Sequence, residues 1–194
     1  MSTPAVDVST LLATQRAHLA GLLEAIQRCV YFLHASDAKL SWPLSGELLA
    51  DQKKDVDLFE SLAAINERFS KLQDTLGSSM RHALLLSGEH ADSFLKLLAI
   101  YEKLGVVSSV SDWQTARSAR NLAAHDYETN YDIVAEHFNT LHTLNPWLYQ
   151  SAARFLSYCE TQLNVLPVST AFAVEFQSII SSAQDRQHQK DSLS

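Results

Sequence analysis

Val56-Asp57-Leu58-Phe59-Glu60-Ser61-Leu62-Ala63-Ala64-Ile65-Asn66-Glu67-Arg68-Phe69-Ser70-Lys71-Leu72 places Val56, Phe59, Leu62, Ile65, Phe69 and Leu72 at steps of three and four residues, and the row continues through Leu76 and Met80. That spacing puts one apolar stripe on an α-helix. The opposite face carries Glu60, Glu67 and Asp74 at heptad spacing, the pattern of a solvated surface. The stretch predicts one long helix over about 47–84, with Gly77 the place for a bend.

The same periodicity extends in both directions. Leu12, Leu19, Leu22, Ile26, Cys29 and Leu33 predict a helix over about 9–35, and the loop Ser41-Trp42-Pro43-Leu44-Ser45-Gly46 follows it. Ser87-Gly88 closes the long helix. Phe94, Leu97, Leu98, Tyr101 and Leu104 make a shorter one that Gly105 ends as a C′ residue. Ser111-Asp112-Trp113-Gln114 reads as a capping box, so a further helix starts near 112 and runs towards Thr129. Asn130 is the next N-cap. Two helices are expected after it, over about 131–143 and 147–165, separated at Asn145-Pro146. Ala171 to Ala183 predicts a short final helix, and Ser182 to Ser194 reads as a frayed polar tail. The expected architecture is all-α, an up-down bundle of four to five main helices. It divides into a bundle over residues 1–166 and a C-terminal extension over residues 167–194.

Composition agrees with one globular unit. The chain has 194 residues, 46% of them hydrophobic, with only 5 Gly and 4 Pro, which disfavours a turn-rich β fold. The formal charge of -7 disfavours broad electrostatic binding of nucleic acid but leaves room for a small phosphate site. Cys29 and Cys159 lack metal spacing and read as buried thiols of a reducing compartment. With no apolar run of membrane length and no secretory signal at Met1 to Thr10, the expected location is the cytoplasm.

Chemistry concentrates in Arg120-Asn121-Leu122-Ala123-Ala124-His125-Asp126-Tyr127. Arginine carries a permanent charge and forks onto phosphate oxygens, and histidine moves protons near neutral pH. Arg117, Arg120, Ala124 and Tyr127 share one helical stripe, whereas Asn121 and His125 share the neighbouring row. Arg120 and His125 are therefore about 140° apart around a regular helix and ~7.5 Å apart along it. A single regular helix does not aim both at one atom. Either the helix is distorted there, or two chains share a cleft across a two-fold axis. Asn121 is placed to orient His125 or to donate to a phosphate. Arg117 reads as a second phosphate contact or a solvated face, and Asp74 as an anchor for Arg120 or a surface carboxylate. Arg120, if it faces a groove, should contribute little to packing. His18, His34, His82, His90, His137, His142 and His188 share no metal spacing and read as structural or exposed. No metal and no cofactor are expected, and no glycine loop cradles a phosphate.

Arg120-Asn121-x-x-x-His125-x-Tyr127 resembles the Arg-x-x-x-x-His-x-Tyr signature of the HEPN superfamily, in the branch of the bacterial HEPN toxins and nucleotidyltransferase-partner proteins. Three further features strengthen the resemblance. Trp113 stands seven residues before Arg120, Tyr101-Glu102-Lys103-Leu104-Gly105 resembles the end of the preceding helix, and Glu67-Arg68-Phe69 with Asp74 resembles the second helix. It spans about residues 10–165. Departures are the loop at 36–46, the segment after 166, and Ser70 where related chains often carry a carboxylate. The resemblance implies a toxin that is a metal-independent endoribonuclease acting on RNA as a homodimer, with Arg120 and His125 catalytic. It further implies a minimal nucleotidyltransferase antitoxin that adds AMP to Tyr127. The alternative it leaves open is a non-catalytic adaptor holding a nucleotidyltransferase or a nucleotide.

Overall fold

The computed structural model describes residues 8–122 and 130–191. Among the described residues there are seven α-helices and no strand, so the all-α expectation holds. They are α1 (Val8–Asp37), α2 (Gly46–Asp51), α3 (Val56–Leu86), α4 (Phe94–Lys103), α5 (Val110–Leu122), α6 (Tyr131–Leu163) and α7 (Ala173–Asp191).

α3 lies along α1 and also touches α4, α5 and α6, while α7 packs on α1 and α6. The core between them is continuous. It includes Leu19, Leu23, Ile26 and Leu33 from α1, Ile65, Phe69, Leu72 and Leu76 from α3, and Leu148, Ala152 and Phe155 from α6. Phe176, Ile179, Ile180 and Ala183 of α7 belong to the same cluster. Burying each large apolar side chain contributes roughly 1.5–3 kcal/mol, so this seam and not local propensity holds the helices. Among the described residues no helix is long and apolar enough to cross a membrane.

Several boundaries differ from the sequence reading, each for a local reason. The single helix expected over 47–84 is two. Asp55 stops it by accepting from the Leu58 amide at 3.0 Å and capping α3, while the Asp55 amide turns back to the Gln52 carbonyl at 2.8 Å. α2 belongs instead to α6, against which it packs. α5 begins before the Ser111 capping box: Ser109 Oγ accepts from the Asp112 amide at 2.9 Å, and the Val110 amide donates to Glu102 Oε1 at 3.1 Å. α7 continues to Asp191, well past the end expected at Ala183.

The largest correction is at Pro146. The two helices expected on either side are one, α6, with Pro146 inside it. An interior proline removes one hydrogen bond and crowds the carbonyl four residues earlier, a cost of about 3 kcal/mol or more. Tertiary contacts offset that cost. Leu141 before the proline and Leu148 after it are completely buried. On the turn just ahead of it, Asn145 Nδ2 donates to Asp37 Oδ1 at 2.9 Å, and His142 Nδ1 lies 2.8 Å from the same oxygen. Trp42 stacks on His142 with ring centroids 4.3 Å apart and donates its Nε1–H to the Asp37 carbonyl at 3.0 Å. Sequence reading gave His142 a structural or exposed role; it is the structural one.

Turn chemistry fits the expectations elsewhere. Gly88 and Gly105 take φ of 78° and 71° where α3 and α4 end, and Asn130 accepts from the Asp132 amide to cap α6. Cys159 is buried and burial pushes its thiol up to about 12, whereas Cys29 is only half-buried, with its thiol also raised by desolvation.

Asp37→Ala should cost roughly 1–3 kcal/mol, because it leaves the buried Asn145 amide without its acceptor. The exposed Asp92→Ala should leave stability close to that of the parent. Urea denaturation of both variants separates them by the shift of midpoint at unchanged slope.

Candidate functional site

The motif arginine is built into the face between α3 and α5. Arg120 Nη1 donates to Asp74 Oδ1 at 2.7 Å and to the Ser70 carbonyl at 3.1 Å. The side chain of Arg120 is 13% exposed while that of Asp74 is 65% exposed, so the carboxylate reaches in from solvent to a largely sheltered cation. Of the two readings left open for Asp74, the structure takes the anchor. The Ser70 position has no carboxylate, yet its backbone carbonyl receives the same guanidinium. Arg120 Nε is buried without a hydrogen-bond partner. This contact set corrects the expectation that Arg120 carries little packing: it joins two helices as well as presenting charge.

Trp113 sets the angle of α5. Its ring is 2% exposed, tilted against Phe94 at 5.9 Å and edge-on to Trp147 at 6.1 Å. Its carbonyl accepts from the buried Gln73 Nε2 at 3.1 Å. α5 therefore runs antiparallel to α3, with Trp113 beside Gln73 and Gly77 and Arg120 beside Ser70 and Asp74. Gly77 lies inside the continuous α3; a Cβ there would come within 3.1 Å of the Phe94 ring, so glycine admits the aromatic ring to this face.

A groove of about 380 Å³ opens on the same face. Asp74, Gly77, Ser78 and Arg81 of α3, Phe94 of α4, and Trp113, Arg117 and Arg120 of α5 line it. Three arginines against one carboxylate give it an excess of positive charge on a chain whose net charge is -7. A larger hollow of about 560 Å³ lies where α2, α5 and α6 meet, but its charged residues are Asp132 and Glu136, so it repels phosphate.

No family model, characterised protein or solved structure matches this chain.

Of the residues singled out by sequence, the structure brings together Arg120, Arg117 and Asp74. The side chain of Asn121, and His125 and Tyr127 entirely, lie outside the described residues, as does the expected end of the motif helix near Thr129. Arg68, part of the resemblance, is used elsewhere: Nη1 donates to the Phe32 carbonyl at 3.0 Å and to Ser36 Oγ, and the guanidinium lies over the Phe32 ring, which fastens α3 to α1. Sequence reading missed Arg81. The signal was present, because Arg81 is the next heptad step after Glu60, Glu67 and Asp74, where the row changes sign.

Asp74→Ala should lower stability by at most ~1 kcal/mol, because an exposed carboxylate gains little from pairing. Trp113→Ala should cost about 3–5 kcal/mol and loosen α5 from α3. Thermal melts of the two variants at equal salt check this ordering.

Proposed function

We propose that this chain is the toxin of a toxin–antitoxin pair, a metal-independent endoribonuclease working through the Arg-x-x-x-x-His-x-Tyr motif. The observation that carries the reading is Arg120, held by the Ser70 carbonyl and Asp74 at the edge of a groove with excess positive charge. A guanidinium fixed in advance stabilises charge that develops on a phosphate without reorganising at the moment of reaction.

In this reading His125 takes the proton from a ribose 2′-OH. The freed oxygen attacks the adjacent phosphorus and the bond to the 5′-oxygen breaks. Arg120 offsets the growing charge on the phosphate oxygens, and Asn121 orients the imidazole. A homodimer with its two motif helices near the two-fold axis answers the angular offset between Arg120 and His125 on a regular helix. A second reading, a non-catalytic adaptor for a nucleotidyltransferase, is favoured by one feature: Asp74 already pairs with Arg120 and offsets its charge.

Purified chain should cleave RNA in the presence of EDTA. His125→Ala should lower the rate ~10²–10⁴-fold, the usual worth of a positioned proton acceptor. Arg120→Lys, which keeps the charge and loses the fork, should also fall well below the parent while circular dichroism stays helical. Cleavage at the parent rate by either variant, or its arrest by chelators, rejects this mechanism and leaves the adaptor.

Regulation follows from Tyr127, which on a regular helix would share a stripe with Arg120, two turns on and ~10.5 Å along it. A nucleotidyltransferase partner transfers AMP from ATP to its phenol oxygen, with pyrophosphate leaving and the phenolic proton passing to solvent, which adds bulk and negative charge to the motif. Co-expression with such a partner should raise the intact mass by AMP units and silence cleavage. Tyr127→Phe should stay active and unmodified. An unmodified Tyr127 in a silenced complex means that the partner acts by occlusion.

A further inference from the structure

Three of the eight arginines in this acidic chain line one groove, and the endoribonuclease reading uses only Arg120. Arg81 and Arg117 are both exposed. Among the described residues neither has an ion-pair or hydrogen-bond partner, in contrast to Arg120 and Arg68. Two unneutralised guanidinium groups lining one groove repel, and a fold keeps that arrangement at little cost only in solvent. An anion entering between them removes the repulsion and gains forked hydrogen bonds.

The groove is more than a charged wall. Arg117 stands one turn before Arg120 on α5, and Arg81 stands two turns beyond Asp74 on α3. α3 and α5 run antiparallel, so the order along the groove is Arg120 with Asp74 at one end, then Arg117 and Ser78, then Arg81. The half-buried Phe94 ring lines the groove and lies against Gly77. Cations set along a line with an aromatic ring beside them suit a chain of phosphates carrying planar bases, because each base has a face that stacks on an aromatic ring.

We propose that Arg81 and Arg117 form a subsite for the phosphate next to the one at Arg120, with the intervening base of a single-stranded RNA packed on Phe94. The subsite rests on the endoribonuclease reading for its choice of RNA, and makes Arg81 and Arg117 residues that position substrate without entering the chemistry. It takes single strands because only an unstacked base reaches the ring.

The test is fluorescence anisotropy of the full chain with a labelled eight-nucleotide 2′-O-methyl oligouridylate, titrated over a range of salt. In parallel, cleavage of the unmodified RNA is followed in EDTA. Arg81→Gln and Arg117→Gln should each weaken binding and lower the slope of log affinity against log salt by ~0.7, the release expected for one phosphate contact on a single strand. Both should raise KM for cleavage and keep kcat, and Arg81→Lys should recover part of the binding. Circular dichroism matching the parent excludes misfolding, since both side chains are exposed. The subsite is overturned if the double variant keeps the parent affinity and slope, if the parent itself does not bind the oligonucleotide at low salt, or if ATP displaces it at equal concentration. Arginine-dependent binding without any RNA cleavage keeps the subsite and rejects the ribonuclease. Cleavage with unchanged KM in the double variant does the reverse.

Discussion

α3 is packed along its length by different partners on different faces, and the placement of α1, α4, α5 and α6 depends on it. One face buries Ile65, Phe69, Leu72 and Leu76 in the core with α1 and α6. Another receives α5 through two polar anchors, Gln73 on the Trp113 carbonyl and Asp74 on Arg120. Gly77 lets Phe94 of α4 approach between them. The helix is therefore both the spine of the bundle and the base of the arginine groove. Substitutions on its two faces should separate cleanly, because the inner face carries packing energy and the outer face carries exposed charge.

Arg120 sits at the meeting of those roles. Its guanidinium is sheltered enough to be held in one orientation, yet it lines a groove that ligands can enter. A cation held this way costs conformational entropy once, at folding, and not again when an anion binds. Asp74 and the Ser70 carbonyl restrain one nitrogen, Nη1. Under the proposed function, the same geometry lets an acidic chain meet a polyanion. The net charge of -7 belongs to the whole surface, whereas the field at a groove depends on the few groups lining it. Association should accordingly be local and weakened by salt, without the broad sliding contacts of a basic protein.

The Asp37 cluster plays a different part. Asp37 at the end of α1 takes hydrogen bonds from Asn145 on α6, contacts His142 and, through its carbonyl, binds Trp42 in the following loop. It fastens the loop to α6 on the turn before Pro146, where α6 is weakest in its own hydrogen bonds. Arg68 does similar work on the last turns of α1, by hydrogen bonding Ser36 and lying over Phe32. Both are polar clasps on an otherwise apolar seam, and such groups specify which helices pair because they are satisfied in one arrangement only.

Apolar periodicity determined the fold class, since stripes at three- and four-residue steps have no stable use except in helices that face one another. It also placed the main helices, their glycine ends and the Asn130 cap, because those signals act within a few residues. The Arg120 motif and its candidate anchor Asp74 were visible by resemblance, whereas Arg81 left only a sign change in a heptad row and was missed. The breaks were not so local. Whether Asp55 starts a helix, or Pro146 ends one, depends on energies of a few kcal/mol that contacts from distant segments easily outweigh. Pro146 stays inside α6 because Asp37, more than a hundred residues away, binds the turn ahead of it. Asp55 divides the expected helix because α2 packs on α6 while α3 packs on α1. The groove belongs to tertiary structure for the same reason: Arg81, Phe94 and Arg117 lie on three helices, and only their packing brings them to one face.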